Sequence, residues 1–186
     1  FFQAQRSYGA DLSQEGAWRD IIAHYLGNVT LVDRAVGRIL GQLEASGLAE
    51  DTAVVFTSDH GDLLGDHGIL GKAALYEPAV RVPLLIRAPW LFNERQDMRI
   101  PVSLADLVPT VLDLLDEEIP GHLNGRSLVG AMTGTPDSDR FVFVEWNGKS
   151  GRTMLTNTVN EQGVDFAAAP WRAVISPDNW KLCVTA

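Results

Sequence analysis

Ala53-Val54-Val55-Phe56-Thr57-Ser58-Asp59-His60-Gly61 is the stretch on which the rest of the chain turns. Its first five residues form a short apolar run without alternation, the pattern of a strand covered on both faces. A second run of the same kind, Pro83–Arg87, follows a long Gly-rich loop. Upstream, apolar residues recur from Trp18 through Ile21, Ile22, Tyr25, Val29 and Val32 to Leu43 in steps of three and four. That spacing predicts one face of a long helix. Gly27, Gly37 and Gly41 each cost such a helix about 1 kcal/mol relative to Ala, so packing must support it. Small residues are expected there where the helix presses on a sheet. Ser46-Gly47 supplies the stop, with Gly47 suited to a left-handed cap. Helix, apolar strand, glycine-rich loop and second apolar strand together predict an α/β layered domain.

Further out, a helix is expected over Leu104–Leu115. Ser103 and Asp106 are placed to cap it, and Pro109 makes its first turn irregular. Asp116–Thr135 reads as a mixed connection with a brief helix near Ser127–Met132. Beyond Pro136 the character changes. Phe141–Trp146, Trp171–Ile175 and Trp180–Val184 are β-prone runs separated by polar or Gly-rich stretches, which predicts a small antiparallel sheet. The boundary is placed near residue 136, dividing the chain into 1–135, the α/β part, and 136–186, a β-rich subdomain.

Composition narrows the function classes. The 186 residues are 46% hydrophobic and 21% charged, which is ordinary for a globular chain. A formal charge of −9 argues against a nucleic-acid partner, whose recognition needs a basic face. No run approaches the roughly 20 apolar residues of a membrane span. Cys183 is the sole cysteine, which excludes an internal disulfide and a multi-cysteine zinc site. The opening Phe1–Arg6 has no signal-peptide pattern, and the first residue is not Met, so the chain is expected to be part of something longer. Compartment and oligomeric state are not legible.

The chemistry-bearing residues lie where the first apolar run ends. In open α/β sheets ligands sit at the carboxyl ends of strands, because loops converge there over a rigid base. Asp59 offers carboxylate oxygens and His60 an imidazole nitrogen, both ordinary ligands of divalent cations. Gly61 lets the backbone leave without crowding them. An Asp-His-Gly triplet alone occurs in many turns; here it follows an apolar strand and precedes a Gly-rich loop ending in Lys72. In that loop His67 is expected to make a structural hydrogen bond, and Asp62 and Asp66 to be solvated carboxylates. Arg81 is expected to anchor the loop through an ion pair. Trp146, Asn147 and Arg152 are weaker candidates for a substrate entrance, and His24 and His122 carry no functional expectation.

Thr57-Ser58-Asp59-His60-Gly61, then Gly65-Asp66-His67-Gly68, Lys72, Tyr76-Glu77 and Arg81-Val82-Pro83-Leu84-Leu85-Ile86 resemble the second half of the sulfatase family, within the alkaline phosphatase-like superfamily. Val32-Asp33-Arg34-Ala35-Val36-Gly37 is similar to the family's preceding helix. Ser103–Asp113 is similar to its later Pro-Thr helix, and Gly125-Arg126-Ser127-Leu128 to the turn beyond. The resemblance covers about residues 20–130. It implies an alkaline phosphatase-like layered sheet with helices, present in part and followed by the small antiparallel subdomain. It also implies that Asp59 and His60 are metal ligands and that Lys72 contacts a sulfate oxygen of an anionic sulfate-ester substrate. Calcium is the metal the resemblance implies; the imidazole nitrogen would equally suit manganese or zinc.

Two departures bear on activity. Sulfatases carry an early Cys/Ser-x-Pro-x-Arg motif whose Cys or Ser becomes the formylglycine nucleophile, and no such motif occurs in this sequence. The family's early acidic ligands and its mid-chain Lys and His are also absent. The chain is therefore expected to be a C-terminal portion of a sulfatase, inactive by itself. A phosphonate or phosphate ester hydrolase of the same superfamily shares the motif set, since phosphoryl and sulfuryl groups ask for similar electrostatics. A non-catalytic anion-binding module is the reading if no nucleophile motif lies upstream.

Overall fold

Glu15–Ala45 form one long helix, α1, in a computed structural model that describes residues 14–68, 71–72, 74–92, 94–135, 137–148 and 169–185. It stops as the sequence predicts. Gly47 takes a left-handed φ of 71°, its amide donates to Glu44 O at 3.0 Å, and the Leu48 amide donates to Leu43 O at 3.3 Å. These two bonds are the Schellman arrangement, which satisfies carbonyls the helix leaves unpaired. The expected packing of α1 is not found. None of its residues is buried, and a Cβ at Gly27, Gly37 or Gly41 would meet nothing within 4 Å. The period of three and four fixed the helix, but among the described residues no sheet lies across its apolar stripe.

After a 3-10 turn at Ala49–Asp51 come β1 (Val54–Thr57), a 3-10 turn at Asp66–Gly68, the short helix α2 (Glu77–Val80) and β2 (Leu84–Arg87). β1 and β2 pair antiparallel, Val54 opposite Arg87 and Thr57 opposite Leu84. The Thr57 hydroxyl donates to Pro83 O at 2.8 Å, clamping the end of the ribbon from which the loop departs. Arg87 donates to Ala49 O at 2.6 Å and to Glu50 at 3.0 Å, which secures the other end. The expected cover on both strand faces is absent here. Phe56 and Leu85 are exposed, because among the described residues the ribbon has two strands and no second layer over that face.

The tightest part of the molecule is a polar hub around Asp106. Ser103 and Asp106 form the predicted capping box over a 3-10 turn at Leu104–Asp106, which runs into α3 (Leu107–Leu114). Pro109 sits in the first turn of α3, where a missing N–H leaves no bond unmade. The Asp106 carboxylate accepts from Ser103 N at 2.9 Å, Arg126 N at 2.8 Å and Arg140 Nη1 at 2.7 Å. Arg140 also donates to Asp137 at 2.6 Å. Gly125 is where the chain presses on this hub: a Cβ there would lie 1.9 Å from Ala105 O. The Thr110 hydroxyl donates to Asp106 O at 2.6 Å and accepts from Leu128 N at 3.0 Å, fixing the start of α4 (Val129–Met132). Leu114, Leu128 and Met132 are buried around it.

β3 (Val142–Trp146), β4 (Trp171–Ile175) and β5 (Lys181–Thr185) form the expected antiparallel sheet in the order β3-β4-β5. Val142 and Ala173 turn inward. β4 and β5 are joined by a tight hairpin in which Ser176 N donates to Trp180 O at 2.8 Å. Asn179 there adopts φ 66°, a left-handed conformation that Asn tolerates better than most residues. Among the described residues no helix is long and apolar enough to cross a membrane.

Candidate functional site

β1 ends at Thr57, and the next residues turn sharply over the ribbon. The Ser58 hydroxyl donates to His60 O at 2.7 Å, and the His60 amide donates to Asp59 Oδ1 at 3.0 Å. Asp59 is thereby held by its own backbone turn while its side chain stays 83% exposed. Gly61 lies flat against α2: its amide donates to Ala79 O at 2.8 Å, and a Cβ would sit 1.9 Å from Pro78 O. Only glycine fits that approach, so the position of His60 is set by α2.

The imidazole orientation follows from its partners. His60 Nδ1 lies 2.8 Å from Gly61 O, a pure acceptor, so Nδ1 carries the proton. Nε2 is left with a lone pair, and the Lys72 ammonium donates to it. Asp59 Oδ2 lies 3.2 Å from the same nitrogen. The Lys72 ammonium on Nε2 is the positive charge found against this nitrogen. Metal bonds of about 2.1 Å to nitrogen and about 2.4 Å to oxygen at a right angle also set donors about 3.2 Å apart. The pair therefore fits two positions of a divalent cation's coordination sphere. Among the described residues no group of three or more His, Cys, Asp or Glu completes it.

Lys72 is carried by a loop with its own internal order. The Asp62 carboxylate accepts from Leu64 N at 2.8 Å and Gly71 N at 3.4 Å, and Leu63 N donates to Gly71 O at 2.8 Å. Leu63, 1% exposed, anchors the loop in the interior. Asp62 is thus a tie within the loop and not the solvated carboxylate expected, while Asp66 is exposed as expected. His67 also departs from expectation. It takes φ 56° and stacks on Tyr76 at 3.8 Å between ring centres, bracing the loop by ring contact in place of a hydrogen bond. Trp18 of α1 covers Gly65, where a Cβ would fall 2.6 Å from its ring.

Arg81 does not anchor the loop. It is exposed and belongs to no ion pair found among the described residues; Arg87, six residues on, makes the pair with Glu50. Trp146 ends β3 opposite Trp171, and Asn147 accepts from Arg172 at 2.9 Å. Arg152 lies outside the described residues. His24 and His122 are exposed.

A cleft of about 1150 Å³ joins these parts. Asp59, His60 and Lys72 are among the residues that line it, as are Trp146 and Lys181 of the small sheet. Lys181 was not legible as a site residue. Its ammonium donates to Leu75 O and, at 2.9 Å, to Glu77 Oε1, three and five residues beyond Lys72.

Comparison with known proteins agrees with this architecture. The Sulfatase family profile matches residues 2–117. The multifunctional alkaline phosphatase superfamily protein PehA of Trinickia caryophylli is 32% identical over 185 residues, 99% of this chain and 34% of that protein. Among solved structures, a phosphonate monoester hydrolase from Silicibacter pomeroyi is 34% identical with a TM-score of 0.70, covering 87% of this chain and 32% of that one. A protein solved in complex with its substrate, D-glucosamine-2-N,6-O-disulfate, is 26% identical with a TM-score of 0.62, over 87% of this chain and 33% of that one. The chain spans between 20% and 34% of the length of the curated relatives it matches.

Proposed function

The chain belongs to the sulfatase family, and from that footing we propose that it supplies the metal-and-lysine side of a sulfuric ester hydrolase. The observation that carries this reading is the convergence of Asp59 Oδ2, His60 Nε2 and Lys72 Nζ at the end of β1. In this reading Asp59 and His60 hold a divalent cation, calcium by family habit, with manganese or zinc open because one donor is nitrogen. When bound, the cation supplies positive charge beside the ester oxygens. Lys72 then turns its ammonium to an equatorial oxygen of the sulfuryl group, where charge grows in the transition state. A point charge on a flexible stem follows a tetrahedral anion well. The nucleophile and the remaining ligands come from outside this stretch, so these 186 residues alone are proposed to be inactive. We place the division between the α/β part and the β-rich subdomain near residue 136.

A second reading has a specific observation in its favour. The phosphonate monoester hydrolase from Silicibacter pomeroyi is 34% identical over 87% of this chain, at a TM-score of 0.70. Phosphonate monoester hydrolysis is therefore the rival chemistry. The deciding experiment measures kcat/KM of the full-length gene product on an aryl sulfate and on a phenyl phosphonate monoester. A higher value on the sulfate supports the first reading, and a higher value on the phosphonate the second. Turnover of neither, together with no nucleophile motif upstream, makes the protein an anion-binding module.

A further inference from the structure

Lys181 is the first residue of β5, paired with Ile175 across the β4–β5 hairpin. The register sets it in one row with Ile175 and Val142, so it leaves the sheet on the face that Val142 and Ala173 bury. Its side chain is 19% exposed, and its ammonium spans to a segment 104 residues earlier in the chain, capping Leu75 O and pairing with Glu77 Oε1 at 2.9 Å. A lysine is an expensive choice for such a place, because ordering its stem costs about 1.5–2 kcal/mol of rotamer freedom.

What the bond reaches explains the placement. Leu75 and Glu77 flank Tyr76, the N-cap of α2 and the stacking partner of His67. On one side, the segment leads back to Lys72 within three residues. On the other, it leads into α2, whose Ala79 carbonyl receives the Gly61 amide and so fixes His60. Lys181 therefore grips the span that connects Lys72 to the support of His60. The hairpin that aims it is itself fixed, since the Ser176 hydroxyl accepts from Trp180 N at 3.0 Å.

We propose that Lys181 is a positioning residue: its bond to Leu75 and Glu77 locks residues 74–80 so that Lys72 is held ready at the oxyanion position. The inference rests on the reading of Lys72 as the anion contact. It also gives the small sheet a part in the site beyond covering the cleft.

The test uses the full-length protein and four forms: wild type, Lys181→Met, Lys72→Ala and the double variant. Hydrogen exchange at Ala74, Ala79 and Val80 is compared with exchange in β3 and β4. Inorganic sulfate binding is measured by calorimetry. Faster exchange at Ala74, Ala79 and Val80 in Lys181→Met, with β3 and β4 unchanged, is the expected result. Sulfate affinity should fall about tenfold in Lys181→Met but less than about twofold when the same change is made in Lys72→Ala, because the two residues act in one network. Lys181→Arg, which keeps a charged donor, should restore most of the loss. Unchanged exchange overturns the proposal. So does an equal loss of sulfate affinity in both backgrounds, which would make Lys181 a general stabiliser. If wild type binds no sulfate, the anion reading of Lys72 fails, and the exchange result alone decides whether Lys181 locks the segment.

Discussion

Arg140 donates to Asp106 at 2.7 Å with their side chains 3% and 6% exposed, so two full charges are sealed in the hub. Neither is isolated. Asp106 takes two further backbone amides and Arg140 takes Asp137 and, at 3.3 Å, Ser127 O. Removing one partner strands the other without water or counter-charge, which costs about 3–5 kcal/mol. Arg140→Leu is therefore expected to destabilise the full-length protein by about 3 kcal/mol. Urea denaturation checks this. A loss below about 1 kcal/mol would mean the pair contributes no more than a surface ion pair does.

Lys72 is the opposite case. It is exposed, and its ammonium contacts one of the candidate ligands, His60. Lys72→Ala should leave the melting temperature within a degree or two and lower kcat/KM on the preferred ester by about 10²–10³. Lys72→Arg should stay about tenfold below wild type, because the bulkier, rigid guanidinium does not put its charge where the compact ammonium sits. The two kinetic constants and a thermal melt of each variant decide it.

Much of this was readable from residues alone, and for local reasons. The stop of α1 at Gly47 and the Ser103–Asp106 cap depend on interactions within a few residues, which sequence spacing reports directly, and the three late strands show as β-prone runs. Asp59, His60 and Lys72 stood out because a strand end, a glycine and a loop lysine came in order. Long-range choices were not readable. Periodicity shows that α1 and β1 have apolar faces but not what lies across them, and here Phe56 and Leu85 face outward. Nothing near Arg81 says that Arg87 makes the ion pair, with a residue 37 positions away. Lys181 was hidden for the same reason.

Backbone contact at two glycines gives a sharper test of the geometry. An added Cβ would fall 1.9 Å from Pro78 O at Gly61 and 1.9 Å from Ala105 O at Gly125, and neither carbonyl can swing away as a side chain would. Gly61→Ala and Gly125→Ala should each cost about 2 kcal/mol or more. Gly130→Ala is the control. Its Cβ would meet Thr135 Cβ at 3.7 Å and Oγ1 at 3.9 Å, ordinary contact, and α4 should gain about 0.5–1 kcal/mol from the change. Denaturant midpoints of the three variants settle the order.

The metal reading stands or falls on Asp59. Its side chain is 83% exposed and its nearest partners are the His60 amide at 3.0 Å and the His60 ring at 3.2 Å. Almost nothing in the fold depends on the carboxylate, so its removal isolates the ligand role from any structural one. Asp59→Ala is expected to abolish stoichiometric metal in the purified full-length protein. Its melting temperature in chelator should match that of chelated wild type. The untreated wild type should melt higher than either, since a bound cation stabilises only the folded state. Elemental analysis with paired thermal melts gives both numbers. Full metal content in Asp59→Ala would remove the carboxylate from the coordination sphere, and His60 Nε2 would then have only Lys72 to explain its orientation.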